Sequence, residues 1–133
     1  MSKPIRDFMT PMPHTIGKEI KVGKTKAMMA EHNCHNLPVL NGGHLVGIVS
    51  DTDVRTLKKI ADSDSFKVED IMTEDPEVVS PQKDVFQVAM LMHQKRIGSV
   101  IVSASDESPW GIFTATDALK YLTQEKNPSL KRV

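Results

Sequence analysis

Two short stretches carry the side chains best suited to chemistry: Ser50 and Asp53 in 47-GIVSDTDV-54, and Thr114 and Asp117 in 111-GIFTATDA-118. Each begins with Gly and two apolar residues, then places a hydroxyl three residues before a carboxylate. At a strand-to-helix junction this spacing makes a capping box, in which the hydroxyl accepts from the N3 amide and the acid reaches back. A box stabilises its helix by roughly 1 kcal/mol and implies no activity. The same helix start also offers free N–H groups and a positive dipole end to an anion. A carboxylate repels phosphate but suits two adjacent hydroxyls, as on a ribose. Hydroxyl and amides for phosphate, with Asp for a sugar diol, describe a nucleotide monoester or a relative. Gly47 and Gly111 permit something to approach the strand backbone closely. Capping and ligand holding both stay open on these residues alone.

The elements that must position these groups are themselves repeated. Segment 7-DFMTPMPHTIGKEIKVGKTKAMM-29 matches 70-DIMTEDPEVVSPQKDVFQVAMLM-92 in its Asp, Met-Thr, Pro, Val and final Met. Val22, Thr25, Met28 and Met29, and likewise Val85, Val88, Ala89 and Met92, recur at helical spacing. Ser80-Pro81 predicts the start of the second of these helices, with Ser as N-cap and Pro in the first turn. Gly17 stands where that Ser would fall in the first copy, which predicts a less sharply started helix. The runs 37-LPVL-40 and 45-LVGIV-49, and 100-VIV-102 and 110-WGIF-113, read as hairpins around 41-NGGH-44 and 103-SASDESP-109. A further helix is expected from Thr52 to about Ile60, and another from Thr116 to about Leu122. Each unit is therefore β-α-β-β-α in an α/β (α+β) chain. The units span 7–62 and 68–125, with 63–67, overlapping the polar run 62-DSDSF-66, as linker and 126–133 as a tail. A unit this small buries little surface alone, so the two are expected to pack together as a pseudo-two-fold pair.

This ordered set resembles a tandem pair of CBS domains (a Bateman module), standing alone: Gly-apolar-apolar-[Ser/Thr]-x-x-Asp twice, each preceded by Met-Thr, an amphipathic helix and a buried strand. The resemblance covers about Asp7 to Leu122 and leaves no room for a catalytic domain. It implies a regulatory, non-enzymatic module that binds AMP, ADP, ATP or S-adenosylmethionine in clefts between the units and commonly dimerises into a disc. Carried over by position, Asp53 and Asp117 hold ribose hydroxyls while Ser50 and Thr114 face phosphate. Thr15-Ile16 and Val78-Val79 match the strand whose backbone reads adenine, and Pro38 lies in the buried strand that follows the first helix. The residues before that strand, 32-HNCH-35 with His32 and His35, and 95-KRIG-98 with Lys95 and Arg96, supply phosphate-binding groups. Near-neutral histidines are weaker phosphate partners than Lys95 and Arg96, Asp51 adds an acid where the second copy has Ala115, and Asn33 replaces Arg96. The second copy is thus the better phosphate site, and Arg96 the residue on which it depends.

Composition bounds the rivals. The chain has 133 residues, 39% apolar and 26% charged, with seventeen basic and seventeen acidic side chains. That is an ordinary globular balance, with no global field for nucleic acid or an anionic membrane. The clusters Lys24-Lys26, Lys58-Lys59 and Lys131-Arg132 lack the interleaved aromatics of single-strand binders. Cys34 is the sole cysteine, which excludes an intrachain disulfide and suits a reducing, cytoplasmic home. No apolar run approaches the ~20 residues of a membrane span. His32, Cys34 and His35 beside Met28 and Met29 do not match a common zinc spacing, so no metal and no cofactor is expected. Trp110 reads as packing rather than a base platform. No Walker loop, Gly-x-Ser-x-Gly elbow or His-Glu-x-x-His occurs. The expected partners are an adenosine nucleotide, a second copy and a regulated protein. The competing readings are a ligand-free dimerisation scaffold, a metal enzyme built on 32–35, and a nucleic-acid binder.

Overall fold

A computed structural model describes residues 3–104 and 111–123, with the Lys58 side chain excepted. Most of the 103–109 turn, Trp110 and the tail with Lys131-Arg132 lie outside these residues. The described elements are β1 (Thr10–Pro11), β2 (Ile16–Gly17), α1 (Val22–His32), β3 (Asn36–Asn41), β4 (His44–Ser50) and α2 (Asp51–Thr56). The second copy continues with β5 (Thr73–Glu74), β6 (Val78–Val79), α3 (Val85–Lys95), β7 (Ser99–Val102), β8 (Gly111–Thr114) and α4 (Ala115–Tyr121). Four helices and two four-stranded sheets give the expected α+β class.

The chain divides into two compact units, but each takes its leading segment from the other copy of the repeat. Residues 13–76 form the first unit; 77–104 and 111–123 form the second together with residues 3–12. The first sheet has strand order β2-β3-β4-β5 and the second β6-β7-β8-β1. In each, a two-residue strand runs parallel to the hairpin's first strand, Ile16 opposite Val39 and Val78 opposite Ile101. The Met-Thr segment pairs antiparallel with the hairpin's second strand, Ile48 opposite Thr73 and Thr10 opposite Ile112.

This pairing explains the repeated glycines. A Cβ on Gly47 would lie 2.5 Å from Met72 Sδ and 2.8 Å from the Thr73 carbonyl. One on Gly111 would strike Met9 Sδ and sit 2.9 Å from the Thr10 carbonyl. What comes close to the strand backbone is therefore the chain's own Met-Thr segment, so the glycines carry no ligand argument.

Helix α1 buries Val22, Thr25 and Met29, and α3 buries Val85, Val88 and Met92, the stripe expected of a helix lying on a sheet. The first unit's core joins Ile16, Leu37, Val39, Val49, Val54 and Val68 to α1. Ile5, Val79, Val100, Val102, Phe113 and Tyr121 do the same around α3. Ser80-Pro81 does not start α3. Asp84 is the N-cap, accepting from the Phe86 and Gln87 amides at 3.0 and 3.2 Å, and also from the Lys3 amide at 2.9 Å. The longer reach of Asp84, which caps the helix and fastens the leading segment, outweighs the local Ser-Pro signal. Lys21, at the N-cap of α1, makes no side-chain cap bond. The second helix of the first copy is shorter than expected, because α2 ends at Thr56 and gives way to a 3-10 turn at Leu57–Lys59. Residues 63–67 are tied down as well: the Phe66 carbonyl accepts from Val22 N–H at 2.7 Å, and Asp64 pairs with Lys26 at 2.6 Å.

Candidate functional site

Both junctions form complete capping boxes. Asp53 N–H donates to Ser50 Oγ at 3.1 Å, and Ser50 N–H donates to Asp53 Oδ2 at 2.9 Å. Asp117 N–H donates to Thr114 Oγ1 at 3.3 Å, and Asp117 Oδ2 accepts from Thr114 N–H at 3.0 Å and from its hydroxyl at 3.2 Å. All four residues are half-buried. Each carboxylate uses Oδ2 for its helix, and Oδ1 has no hydrogen-bond partner among the described residues.

The surroundings of the two boxes differ. In the first unit, Asp51 donates its amide to the His35 carbonyl at 2.9 Å, and its carboxylate lies 3.1 Å from His35 Nδ1 and 3.7 Å from Arg55. In the second, Ala115 donates its amide to the Gly98 carbonyl at 3.0 Å, with no side chain able to form the ion pair. Leu119 stands where the first copy has Arg55. An open groove of about 720 Å³ results, lined by Ala89, Met92, His93, Arg96, Ala115 and Leu119 among others.

The remaining candidates fall into two groups. Ile16 and Pro38 are buried in β2 and β3, Val79 is buried in β6, Thr15 is half-buried and Val78 exposed. His32 is stacked on His14, ring centroids 3.7 Å apart, and His35 is held by Asp51. His14 was missed in the sequence because nothing local marks it; its partner lies eighteen positions on. Lys95 is drawn to Glu77 at 2.7 Å, so its charge is partly neutralised, while Arg96 has no ion-pair partner among the described residues. Arg96 and Asn33 occupy the same place, the left-handed residue after α3 and after α1, with φ of 56° and 50°. Asn tolerates that conformation, whereas Arg is strained there by about 1 kcal/mol. Among the described residues no group of three His, Cys, Asp or Glu is placed to hold a metal ion. Burial pushes the Cys34 thiol above its ordinary value, away from the thiolate a metal needs.

The model of the CBS domain matches twice, at residues 5–59 and 68–124. This chain belongs to the CBS-domain family. The CBS pair is 34% identical over 113 residues to an inosine-5′-monophosphate dehydrogenase of Korarchaeum cryptofilum, covering 85% of this chain and 22% of that enzyme. It is 25% identical to the uncharacterised protein MJ0188 of Methanocaldococcus jannaschii, covering 96% of this chain and 47% of that one. The chain thus spans less than half the length of these curated relatives. Among solved structures, CBSX2 in complex with AMP is 28% identical, with TM-score 0.78 over 93% of this chain and 98% of that one. A structure of CBSX2 from Arabidopsis thaliana covers 100% of this chain and 99% of its own, with 25% identity and TM-score 0.77. The CBS pair of MJ0100, in complex with 5′-methylthioadenosine and S-adenosylmethionine, gives TM-score 0.85 over 95% of this chain and all of that one. At 24% identity it speaks to the fold alone. No helix among the described residues is long and apolar enough to cross a membrane.

Proposed function

We propose that this CBS pair is a regulatory, non-catalytic module of the cytoplasm that binds an adenosine nucleotide, AMP, ADP, ATP or S-adenosylmethionine, and signals its occupancy through a homodimer to a regulated protein. Asp117 and Asp53 hold ribose hydroxyls through Oδ1, and Thr114 and Ser50 face the 5′ substituent. Thr15-Ile16 and Val78-Val79 read the base from their backbones. A phosphorylated ligand depends on Arg96. The observation that carries this reading is the duplicated box, in which one carboxylate oxygen serves the helix and the other has no hydrogen-bond partner among the described residues. Support comes from the AMP complex of the 28% identical CBSX2, and from the strained Arg96, which has no ion-pair partner among the described residues. Signalling requires the ligand to bind one arrangement of the protein more tightly than another.

The completeness of both boxes favours a second reading, a scaffold in which these residues only cap helices. Calorimetric titration of the four ligands against wild type, Asp53→Ala and Asp117→Ala separates the two. Binding by wild type that weakens in at least one variant supports sensing. No binding at millimolar ligand supports the scaffold, and equal binding by all three proteins refutes the assignment of Asp53 and Asp117.

A further inference from the structure

We infer that Asn41, at the tip of the first hairpin, is a site of spontaneous covalent modification in the folded protein. The Gly42 nitrogen displaces its side-chain amide to form a cyclic imide, which water opens to aspartate or isoaspartate. The inference is independent of the nucleotide reading above.

Asn41-Gly42 is the one place in the chain where an asparagine precedes a glycine, and glycine has no side chain to screen the attacking nitrogen. Asn41 ends β3, is exposed, and its side chain makes no hydrogen bond among the described residues. Gly42 and Gly43 follow at φ of 58° and 87°, and a Cβ on either would meet nothing within 4 Å, so the tip has room for ring closure. The Gly42 N–H, the nucleophile, donates no hydrogen bond among the described residues. The ladder is also interrupted just before the tip. Its register shifts between Val39 and Leu40, and only the Leu40–Leu45 and Asn41–His44 pairs lie beyond the irregularity. A bulge disrupts the ladder locally, so these two pairs can open without the buried part of the strand.

The other described asparagines lack this freedom. The nucleophile for Asn33 is the Cys34 N–H, which donates to the Met29 carbonyl at 3.0 Å. Leu37, which follows Asn36, is fully buried in the β3–β4 ladder. The turn of the second hairpin, 103-SASDESP-109, contains no asparagine, so the modification sets the two copies apart.

The chemistry balances with water alone. A base takes the Gly42 N–H proton, the nitrogen bonds to Asn41 Cγ, the Cγ–Nδ2 bond breaks and ammonia leaves. Water then adds to one of the two imide carbonyls. Opening at Cγ gives aspartate; opening at the main-chain carbon gives isoaspartate, with the backbone one methylene longer. Either product adds a carboxylate to a groove of about 360 Å³ lined by Lys18, Asn41, Glu69, Asp70, Glu74 and Asp75 among others. Lys18, already 4.0 Å from Glu69, then faces one more acid.

The test keeps the full chain folded in mildly alkaline buffer over weeks, beside a sample held unfolded in urea, and maps both by peptide mass spectrometry. A gain of one dalton is expected on the peptide holding Asn41, with isoaspartate exceeding aspartate, while Asn33 and Asn36 stay intact in the folded chain. The folded rate should lie within about tenfold of the unfolded one, because the opening it needs is small and local. Asn41 that stays intact in the folded chain while reacting in urea overturns the inference. Aspartate formed without isoaspartate, the mark of direct hydrolysis, overturns it as well.

Discussion

The two strand-to-helix junctions share one backbone design and differ at the residues beside it. Ser50-Asp51-Thr52-Asp53 and Thr114-Ala115-Thr116-Asp117 fold into the same box with hydrogen bonds of 2.9–3.1 Å and 3.0–3.3 Å. The residue after the hydroxyl then decides the neighbourhood. Asp51 gathers His35 and Arg55 into a polar knot, whereas Ala115 leaves a groove with Arg96 at its rim. A box can therefore be kept for folding while its environment is set independently.

The largest expected effect probes what the two units share. Gly111→Ala and Gly47→Ala should each destabilise by about 2 kcal/mol, the usual cost of overpacking, because the added Cβ meets a backbone carbonyl that cannot rotate away. Chemical denaturation would read this; a large loss in one variant only would show that the two Met-Thr contacts are not equivalent. Arg96→Ala tests the difference between the junctions. Binding of AMP, measured by calorimetry, should weaken on the order of 10–100-fold if a charge-assisted phosphate contact is lost, while Asn33→Ala changes it little.

Arg96→Gly sharpens the same point. It should raise stability by about 1 kcal/mol, since glycine adopts the left-handed conformation freely, while weakening AMP binding as the alanine variant does. Gain in one assay with loss in the other marks a residue kept for its charge at the fold's expense. Lys21→Asp, which gives α1 the cap that Asp84 gives α3, should stabilise by about 1 kcal/mol in a thermal melt.

The smallest effect is on acid response. The Lys3 amide above all, with the Gln87 and Phe86 amides adding to it, holds the Asp84 carboxyl below its usual 3.8 against an opposing desolvation. A lowered folded value contributes stability that is present above the unfolded value and is lost as pH falls through the folded one. Amide exchange at Phe86 and Gln87 should therefore quicken below pH ~3.8 relative to α1, which has no such cap, and Asp84→Asn should remove the dependence.

Much of the fold was legible because it is written locally. Helical stripes at Val22–Met29 and Val85–Met92, the hairpin runs and the Ser/Thr-x-x-Asp boxes all lie within one element or one turn. The family was legible for a related reason: the order of weak motifs, seen twice, is specific where each alone is not. What escaped was set by distant partners. Thr10–Pro11 and Thr73–Glu74 are too short for any periodicity, and Thr10 finds its partner Ile112 about a hundred residues away. The Ser80-Pro81 start lost to Asp84 because Asp84 also bonds to Lys3, eighty-one positions earlier. At the candidate site the residue types were readable but their engagements were not. Glu77 claims Lys95 and Asp51 claims His35, and neither pairing has a sequence signature.

The crossed ownership of the Met-Thr strands bears on how this chain can be taken apart. Cutting it within residues 62–67 would not release two intact domains. The N-terminal fragment would carry a strand belonging to the other sheet and lack its own edge, and the C-terminal fragment would be in the converse position. Two fragments mixed in solution would thus have reason to recombine, each restoring the hydrogen bonds the other is missing. A single repeat living alone would satisfy that edge only by borrowing the strand of a sister molecule.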